Sequence, residues 1–198
     1  VAAVVLVTAA EAAEAALAAV VVDSVAAAHR DGGDMIGRFF RHLFALPWAL
    51  RRALPARTLE AIELAIEASE ARHAGELRFV VENALHPLAV LRGQSGRERA
   101  IEVFSALRVW DTEHNSGVLI YLLMADHDIE IVVDRGVRAR VPDAHWAALC
   151  TELEARFRRG EFHDGALHCV QAITATLAQH FPGAGAKKNE LPDRVLVL

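Results

Sequence analysis

From Val118 to Ala125 the chain reads VLIYLLMA, an apolar run with no polar alternation to mark an outward face. A strand of that kind must be covered on both sides, so it belongs at the centre of a sheet with helices above and below. Asp126-His127-Asp128 then supplies a tight acidic turn. Ile129 to Asp134 (IEIVVD) returns antiparallel, with Ile129, Ile131 and Val133 on one side and Glu130, Val132 and Asp134 on the other; Gly136 ends it. Upstream, Glu76 to Glu82 (ELRFVVE) alternates Leu77, Phe79 and Val81 against Arg78, Val80 and Glu82, which predicts a half-buried strand.

Between these strands, Pro87, Gly93 and Gly96 mark a loop. Ser95 or Gly96 opens a helix through about Arg108, with Ala100, Ile101, Phe104 and Leu107 as its apolar stripe. Strand, helix, strand implies a right-handed βαβ crossover with the first two strands parallel. Before the sheet, Pro55 breaks the chain and Thr58 is placed to cap a helix. Leu59, Ile62, Ala65, Ile66 and Ser69 recur there at helical spacing, Glu60, Glu63, Glu67 and Glu70 are solvated, and Gly75 ends it. After the sheet, one helix is expected from about Asp143 to Arg159, on Trp146, Leu149, Leu153 and Phe157. Another is expected from about Asp164 to His180, on Leu167, Val170, Ile173, Thr174 and Leu177. Gly183 to Leu198 reads as a polar tail, disordered or draped over the surface. The fold class that results is α/β: a three-layer α/β/α sandwich around a small mixed sheet, made of a βαβ unit, a hairpin and two C-terminal helices.

Two N-terminal segments stand apart. Ile36 to Leu54 (IGRFFRHLFALPWALRRAL) sets Phe39, Phe40, Leu43, Phe44 and Leu46 against Arg38, Arg41 and His42, and Trp48 and Leu50 precede Arg51 and Arg52. That is a basic amphipathic helix, kinked or restarted at Pro47. It either lies on a membrane surface, where Arg and Trp suit the headgroup interface, or covers the domain's own sheet, which is the simpler reading. Residues 1–34 are largely Ala and Val with Glu11, Glu14 and Asp23. A membrane span fits poorly, since each acid near a helix centre costs roughly 2.5–3.5 kcal/mol. A secretory leader fits poorly too, for want of a basic region before the apolar stretch. Met35 follows at once, so this stretch reads either as an Ala-rich helix or as an upstream over-extension of the reading frame.

A chain of 198 residues holds one domain plus extensions. Its formal net charge is −5, and no basic stripe with interleaved aromatics occurs, which argues against nucleic acid as a partner. Cys150 and Cys169 sit on separate expected helices without CxxC or Cys-His spacing, so they read as small buried thiols rather than a disulfide framework. There is no P-loop, dinucleotide glycine pattern or HExxH. Ser95, in GQSGR, lacks the nucleophile elbow. His145, His163, His168 and His180 have no ligand pairing and read as surface or helix-end residues. Asp126-His127-Asp128 superficially resembles the D-x-D of haloacid-dehalogenase-type phosphatases, but a strand resumes at once, so a hairpin turn is the better account. Arg97 and Arg99, at a helix start, either bind a phosphate or pair with Glu98 and Glu102; the second is favoured.

The arrangement resembles the TPM domain family. The resemblance rests on Phe104, Leu107, Val109-Trp110, Asn115, Gly117-Val118-Leu119, Ile129 to Gly136, and Phe157 with Gly160, Phe162 and Gly165. WDTEHNSGVLIYLL, the Asp-Arg-Gly exit and the NELPD tail are similar to a short, stand-alone bacterial subgroup. Residues 1–34 then form an extension, 35–57 the basic helix, 58–182 the TPM-like domain and 183–198 the tail. The resemblance implies an α/β/α sandwich. Many members carry a signal peptide and a C-terminal span, neither of which is evident in this sequence, so a cytoplasmic protein is expected, at most peripheral to the inner membrane through residues 36–54.

Asp111, Glu113, Asn115, Asp126, Asp128 and Asp134 are oxygen donors at or near strand ends, the kind that suits hard cations such as Ca2+ or Mg2+. The start of one strand and the end of its antiparallel neighbour share a sheet edge. That groups Asp111, Glu113, Asn115 and Asp134 with Arg135 and sends Asp126 and Asp128 to the opposite edge. The family's cation binding near acidic loops points to the first group as metal ligands, with Arg135 as a phosphate or charge-stabilising residue. The simpler reading has Asp111 or Thr112 capping a turn, Asn115 and Gly117 shaping the loop, and Asp134 paired with Arg135. The resemblance implies a TPM-type module that binds a divalent cation and a protein or membrane partner, with no organic cofactor. The alternative is a metal-dependent phosphatase acting on phosphomonoesters, although no residue is an obvious nucleophile.

Overall fold

The apolar run becomes β2 (Gly117–Leu123), in which every residue is buried. Residues 35–183 and 189–198 are described in the computed structural model of the chain; the helix expected within 1–34 lies outside them. On one side β2 pairs in parallel with β1 (Glu76–Glu82), from Glu76 beside Gly117 to Glu82 beside Leu123. On the other it pairs antiparallel with β3 (Asp128–Val133), Val118 facing Val133 and Leu123 facing Asp128. β2 stops short of the apolar run because Met124–Asp126 tightens into a 3-10 turn, and His127 takes a left-handed conformation at φ 50° to reverse the chain.

β1 departs from the half-buried expectation. All its residues are buried, Arg78 and Glu82 included. Val80 packs under the helices on that face, Glu82 is held by Arg99 and Tyr121, and the tail covers the rest. Leu196–Val197 forms a short β4 parallel to β1, completing the order β3-β2-β1-β4. Arg78 extends a guanidinium nitrogen, Nη1, to the Pro192 and Arg194 carbonyls, each at 2.6 Å. The Val195 amide donates to Glu63 at 2.9 Å. Residues 189–198 are therefore part of the sheet layer rather than a loose tail. Leu191 and Val195 anchor it in the two cores, and the closing Val-Leu-Val-Leu was the signal for a strand that the polar residues before it masked.

Eight helices occur among the described residues: α1 (Met35–Leu43), α2 (Pro47–Ala53), α3 (Ala56–Glu70), α4 (Pro87–Leu91), α5 (Gly96–Ala106), α6 (Arg135–Arg138), α7 (Asp143–Arg158) and α8 (Phe162–His180). The chain restarts at Pro47, whose missing N–H costs nothing in the first turn. α3 begins before Thr58, at the Pro55 break. Thr58 is thus not a cap, and its hydroxyl lies 3.0 Å from Nδ1 of His163. α5 opens with a capping box: Ser95 Oγ accepts the Glu98 amide, and the Glu98 carboxylate accepts the Ser95 amide.

Alternate residues of the central strands supply two cores. Phe79, Val81, Ile120, Leu122, Ile129 and Ile131 face α3, α7 and α8, where Ile62, Ile66, Leu153, Phe157, Ile173 and Leu177 meet them. Val80, Leu119, Tyr121, Leu123 and Val132 face Val90, Ala100, Val103 and Phe104 of α4 and α5. Each fully buried aliphatic or aromatic chain contributes roughly 1.5–3 kcal/mol, so the two faces together hold the three layers. The architecture is the α/β/α sandwich.

Candidate functional site

The edge where β2 begins and β3 ends is built by a loop folded tightly on itself. Thr112 organises it: its hydroxyl accepts the Ser116 amide at 2.9 Å and its carbonyl accepts the Asn115 amide at 3.1 Å. Asn115 sits at φ 50°, a left-handed conformation that Asn tolerates. Arg108, at φ 53°, tolerates it less well and marks the tight exit from α5. Gly117 enters β2 so close to the Val109 carbonyl that any Cβ would collide with it. The Asn115 carbonyl accepts the Gly136 amide at 3.0 Å, and a Cβ on Gly136 would lie only 2.6 Å from that oxygen. Gly117 admits the Val109 carbonyl, and Gly136 lets the loop and the β3 exit touch.

Contact between those segments brings Asn115, Asp134 and Arg135 together. One Asp134 oxygen, Oδ1, caps α6 by accepting the Arg135 amide at 2.7 Å. The Arg135 side chain turns instead to the Asn115 amide oxygen, also at 2.7 Å. Asp134 Oδ2 is buried without a hydrogen-bond partner. Burial raises the carboxyl above its ordinary pKa, against the pull of the Arg135 amide and charge. Asp111 and Glu113 lie in the same loop with exposed side chains; the Glu113 amide donates to the Glu190 carboxylate at 3.0 Å. Among the described residues, no three His, Cys, Asp or Glu side chains already stand together in a metal-binding arrangement, so a cation here would have to draw Asp111 and Glu113 inward.

Two further polar clusters lie at the opposite edge, where β1 and β2 end. Asp126 accepts Arg38 Nε at 2.9 Å, a second guanidinium from Arg41 at 3.3 Å, and Nε2 of His42 at 3.0 Å. Burial alone would raise the Asp126 carboxyl, but the His42 hydrogen bond and the Arg38 charge outweigh it and hold the pKa at about 2. Beside it, Glu82 accepts Arg99 at 2.9 Å and the Tyr121 hydroxyl at 2.8 Å, with both acceptor and phenol buried. Sequence reasoning set Asp126 aside as a turn residue and treated Glu82 as solvent-facing. The available signal was the i, i+4 spacing of Arg38 and His42, which puts two polar side chains on one helix face.

The arginines at the α5 start are taken up internally. Arg99 pairs with Glu82 and Glu102. Arg97 pairs with Glu130 rather than the expected Glu98, which is committed to the capping box. The Asp128 carboxylate lies against Gly96, where a Cβ would collide with it, so an acid of the protein itself occupies that helix start. Both cysteines are free. Burial pushes the Cys150 thiol up to about 12 and Cys169 well above its ordinary value, so neither offers a thiolate nucleophile.

A model of the TPM domain matches residues 51–176. The NMR structure of the BA42 protein from the psychrophilic bacterium Bizionia argentinensis is similar, with 28% identity and a TM-score of 0.64, covering 73% of this chain and 95% of that one. The N-terminal domain of a protein from P. gingivalis shares the fold at 16% identity and a TM-score of 0.55, covering 68% of this chain and 83% of that one. No curated protein matches the chain.

Proposed function

Because the chain belongs to the TPM domain family, we propose that it is a binding module taking a divalent cation, calcium or magnesium, where Asp134 meets the loop bearing Asp111, Glu113 and Asn115. The observation that carries this reading is the buried, unpartnered Oδ2 of Asp134. A carboxylate kept from water without a second donor costs free energy, and a hard cation with oxygen ligands offsets that cost. Asp134 would hold the ion together with the Asn115 amide oxygen, after Arg135 releases it, and the flexible acids Asp111 and Glu113 would complete the donor set. The test is thermal melting with millimolar calcium or magnesium. Either ion should raise the melting temperature, and Asp111→Asn should remove most of the rise. An unchanged melting temperature in both ions overturns the reading.

A second reading, a metal-dependent phosphatase acting on phosphomonoesters, is favoured by Arg135. Its exposed guanidinium is fixed by Asn115 at this same edge, where it could stabilise charge on a phosphoryl oxygen. Turnover of a generic phosphomonoester that needs added cation and is lost in Arg135→Ala would replace the binding-module reading with this one.

A further inference from the structure

Helix α1 is turned inside out. Its buried residues are Arg38 and His42, at 8% and 4% exposure, whereas Ile36 is 72% and Phe44 66% exposed. Positions 36, 40, 43 and 44 share one helical face and 38 and 42 the other. The cause is Asp126, which draws the polar side inward through Arg38 and His42. His42 is fixed further by the Leu85 amide, donated to Nδ1 at 2.9 Å. Of the apolar side chains of α1, Phe39 alone packs against the core. The segment covers the domain's core mainly through Phe39, Leu50 and Leu54, and the rest of its apolar face points to water.

The exposed surface continues past the break. Leu46 and Trp48 stand out at 50% and 60%, while Leu50 and Leu54 turn inward. Phe40 and Phe44 stack with ring centroids 6.0 Å apart, and Phe39 meets Phe40 edge-on at 5.6 Å. A row of aromatic and aliphatic side chains of this kind is a binding surface rather than scattered exposure. Its charge is equally one-sided. Residues 35–59 contain no acid; Arg38 and Arg41 are paired with Asp126, and Arg51, Arg52 and Arg57 stand exposed, in a chain where acids outnumber Lys and Arg by 26 to 21.

We propose that α1 and α2 dock in the plane of an anionic lipid bilayer surface. Phe40, Phe44 and Trp48 enter the headgroup boundary, and Arg51 and Arg52 contact lipid phosphates. A bilayer offers an apolar interior and a negative surface together, matching both properties of the segment. A second copy of the chain matches only the first, because it would bring the same acid-free, arginine-rich segment against itself. The helices have 9 and 7 residues, far short of a span, which takes about 20. No described helix is long and apolar enough to cross a membrane. Trp48 at the junction of the two helices suits the interface.

The test is co-sedimentation of the full chain with vesicles of phosphatidylcholine, with or without roughly one third phosphatidylglycerol. Binding to the anionic vesicles is expected, weakened by salt and weak to phosphatidylcholine alone. Arg51→Ala with Arg52→Ala should reduce partitioning about 30-fold. Phe44→Asp with Trp48→Asp should abolish it while circular dichroism stays unchanged, since both side chains are exposed. In a Trp110→Phe background, the Trp48 emission, taken as the difference from the Trp48→Phe/Trp110→Phe variant that keeps only buried Trp146, should shift to the blue on vesicle addition. Three outcomes overturn the proposal: no sedimentation at low salt, binding undiminished in the Phe44→Asp/Trp48→Asp variant, or a dimer abolished by that variant without vesicle binding. Trp48 emission already blue-shifted without vesicles overturns it as well, by showing the face covered within the chain.

Discussion

Nε2 of His42 lies 3.0 Å from a carboxylate oxygen of Asp126, and the opposite ring nitrogen accepts the Leu85 backbone amide at 2.9 Å. With Nδ1 accepting that amide, Nε2 is the ring nitrogen left to donate to Asp126. A single buried imidazole thus ties α1 to both the β2–β3 turn and the chain after β1. This contact decides which side of α1 faces water.

Asp126 contributes stability that depends on its charge. Its folded pKa, about 2, lies below the unfolded value near 3.9, so the contribution is complete above about pH 5 and disappears as pH falls toward 2. Asp126→Asn should cost roughly 3 kcal/mol at pH 7, by leaving Arg38 buried without its carboxylate. It should also flatten the acid limb of stability below pH 4. Urea unfolding across that range measures both; an acid limb identical to wild type would remove Asp126 from this role.

Tyr121 is the sole tyrosine of the chain, and burial together with the neighbouring Glu82 charge raises its pKa far above the ordinary value. The folded protein should show no phenolate absorbance up to pH 11. Only the unfolded chain ionises near pH 10, so stability from this group is intact below that value and falls as pH rises beyond it. Tyr121→Phe should cost about 1–2 kcal/mol, because Glu82 loses a donor. Arg99→Met should cost roughly 3 kcal/mol, and adding Glu82→Gln should recover part of it in a double-mutant cycle.

Gly117→Ala should destabilise by about 3 kcal/mol or more, since the new methyl meets the Val109 backbone carbonyl and neither can move without opening the loop. Gly93→Ala offers a contrast. It stands in open space at φ 80°, so only conformational strain of about 1 kcal/mol is expected. Denaturant midpoints of the two variants should separate them clearly.

Asp134 has the opposite pH linkage to Asp126. Burial raises its folded pKa, so its ionisation opposes folding, and the associated stability is lost as pH rises through that value. Asp134→Asn should therefore stabilise the metal-free protein by up to about 1 kcal/mol and raise its melting temperature, since Asn also caps α6. The same variant should abolish any stabilisation by calcium. A destabilised variant that still responds to calcium would refute both expectations.

Much of the fold follows from local pattern alone. The unbroken apolar run 118–125 could be nothing but a central strand, and the βαβ spacing fixed its parallel neighbour. The edge that joins Asn115, Asp134 and Arg135 followed from antiparallel pairing, because register places the start of one strand beside the end of the next. The hydrogen bonds there did not follow: Arg135 turns to Asn115, and Asp134 keeps one oxygen unpaired.

Periodicity, turn residues and apolar runs are properties of neighbours in the chain, so the sequence by itself determined the elements, their order and the sandwich they form. The tertiary structure decided what depends on partners far apart. Arg78 and Glu82 occupy the polar positions of a strand, and the helices over that face, the returning tail, Tyr121 and Arg99 bury them together. The amphipathicity of α1 was plain from residues 36–44, but an amphipathic pattern has two faces and does not say which one turns inward. A carboxylate far along the chain, at Asp126, decides it, because it receives Arg38 and His42 on the inner side of the helix, a partnership that no neighbouring residue announces.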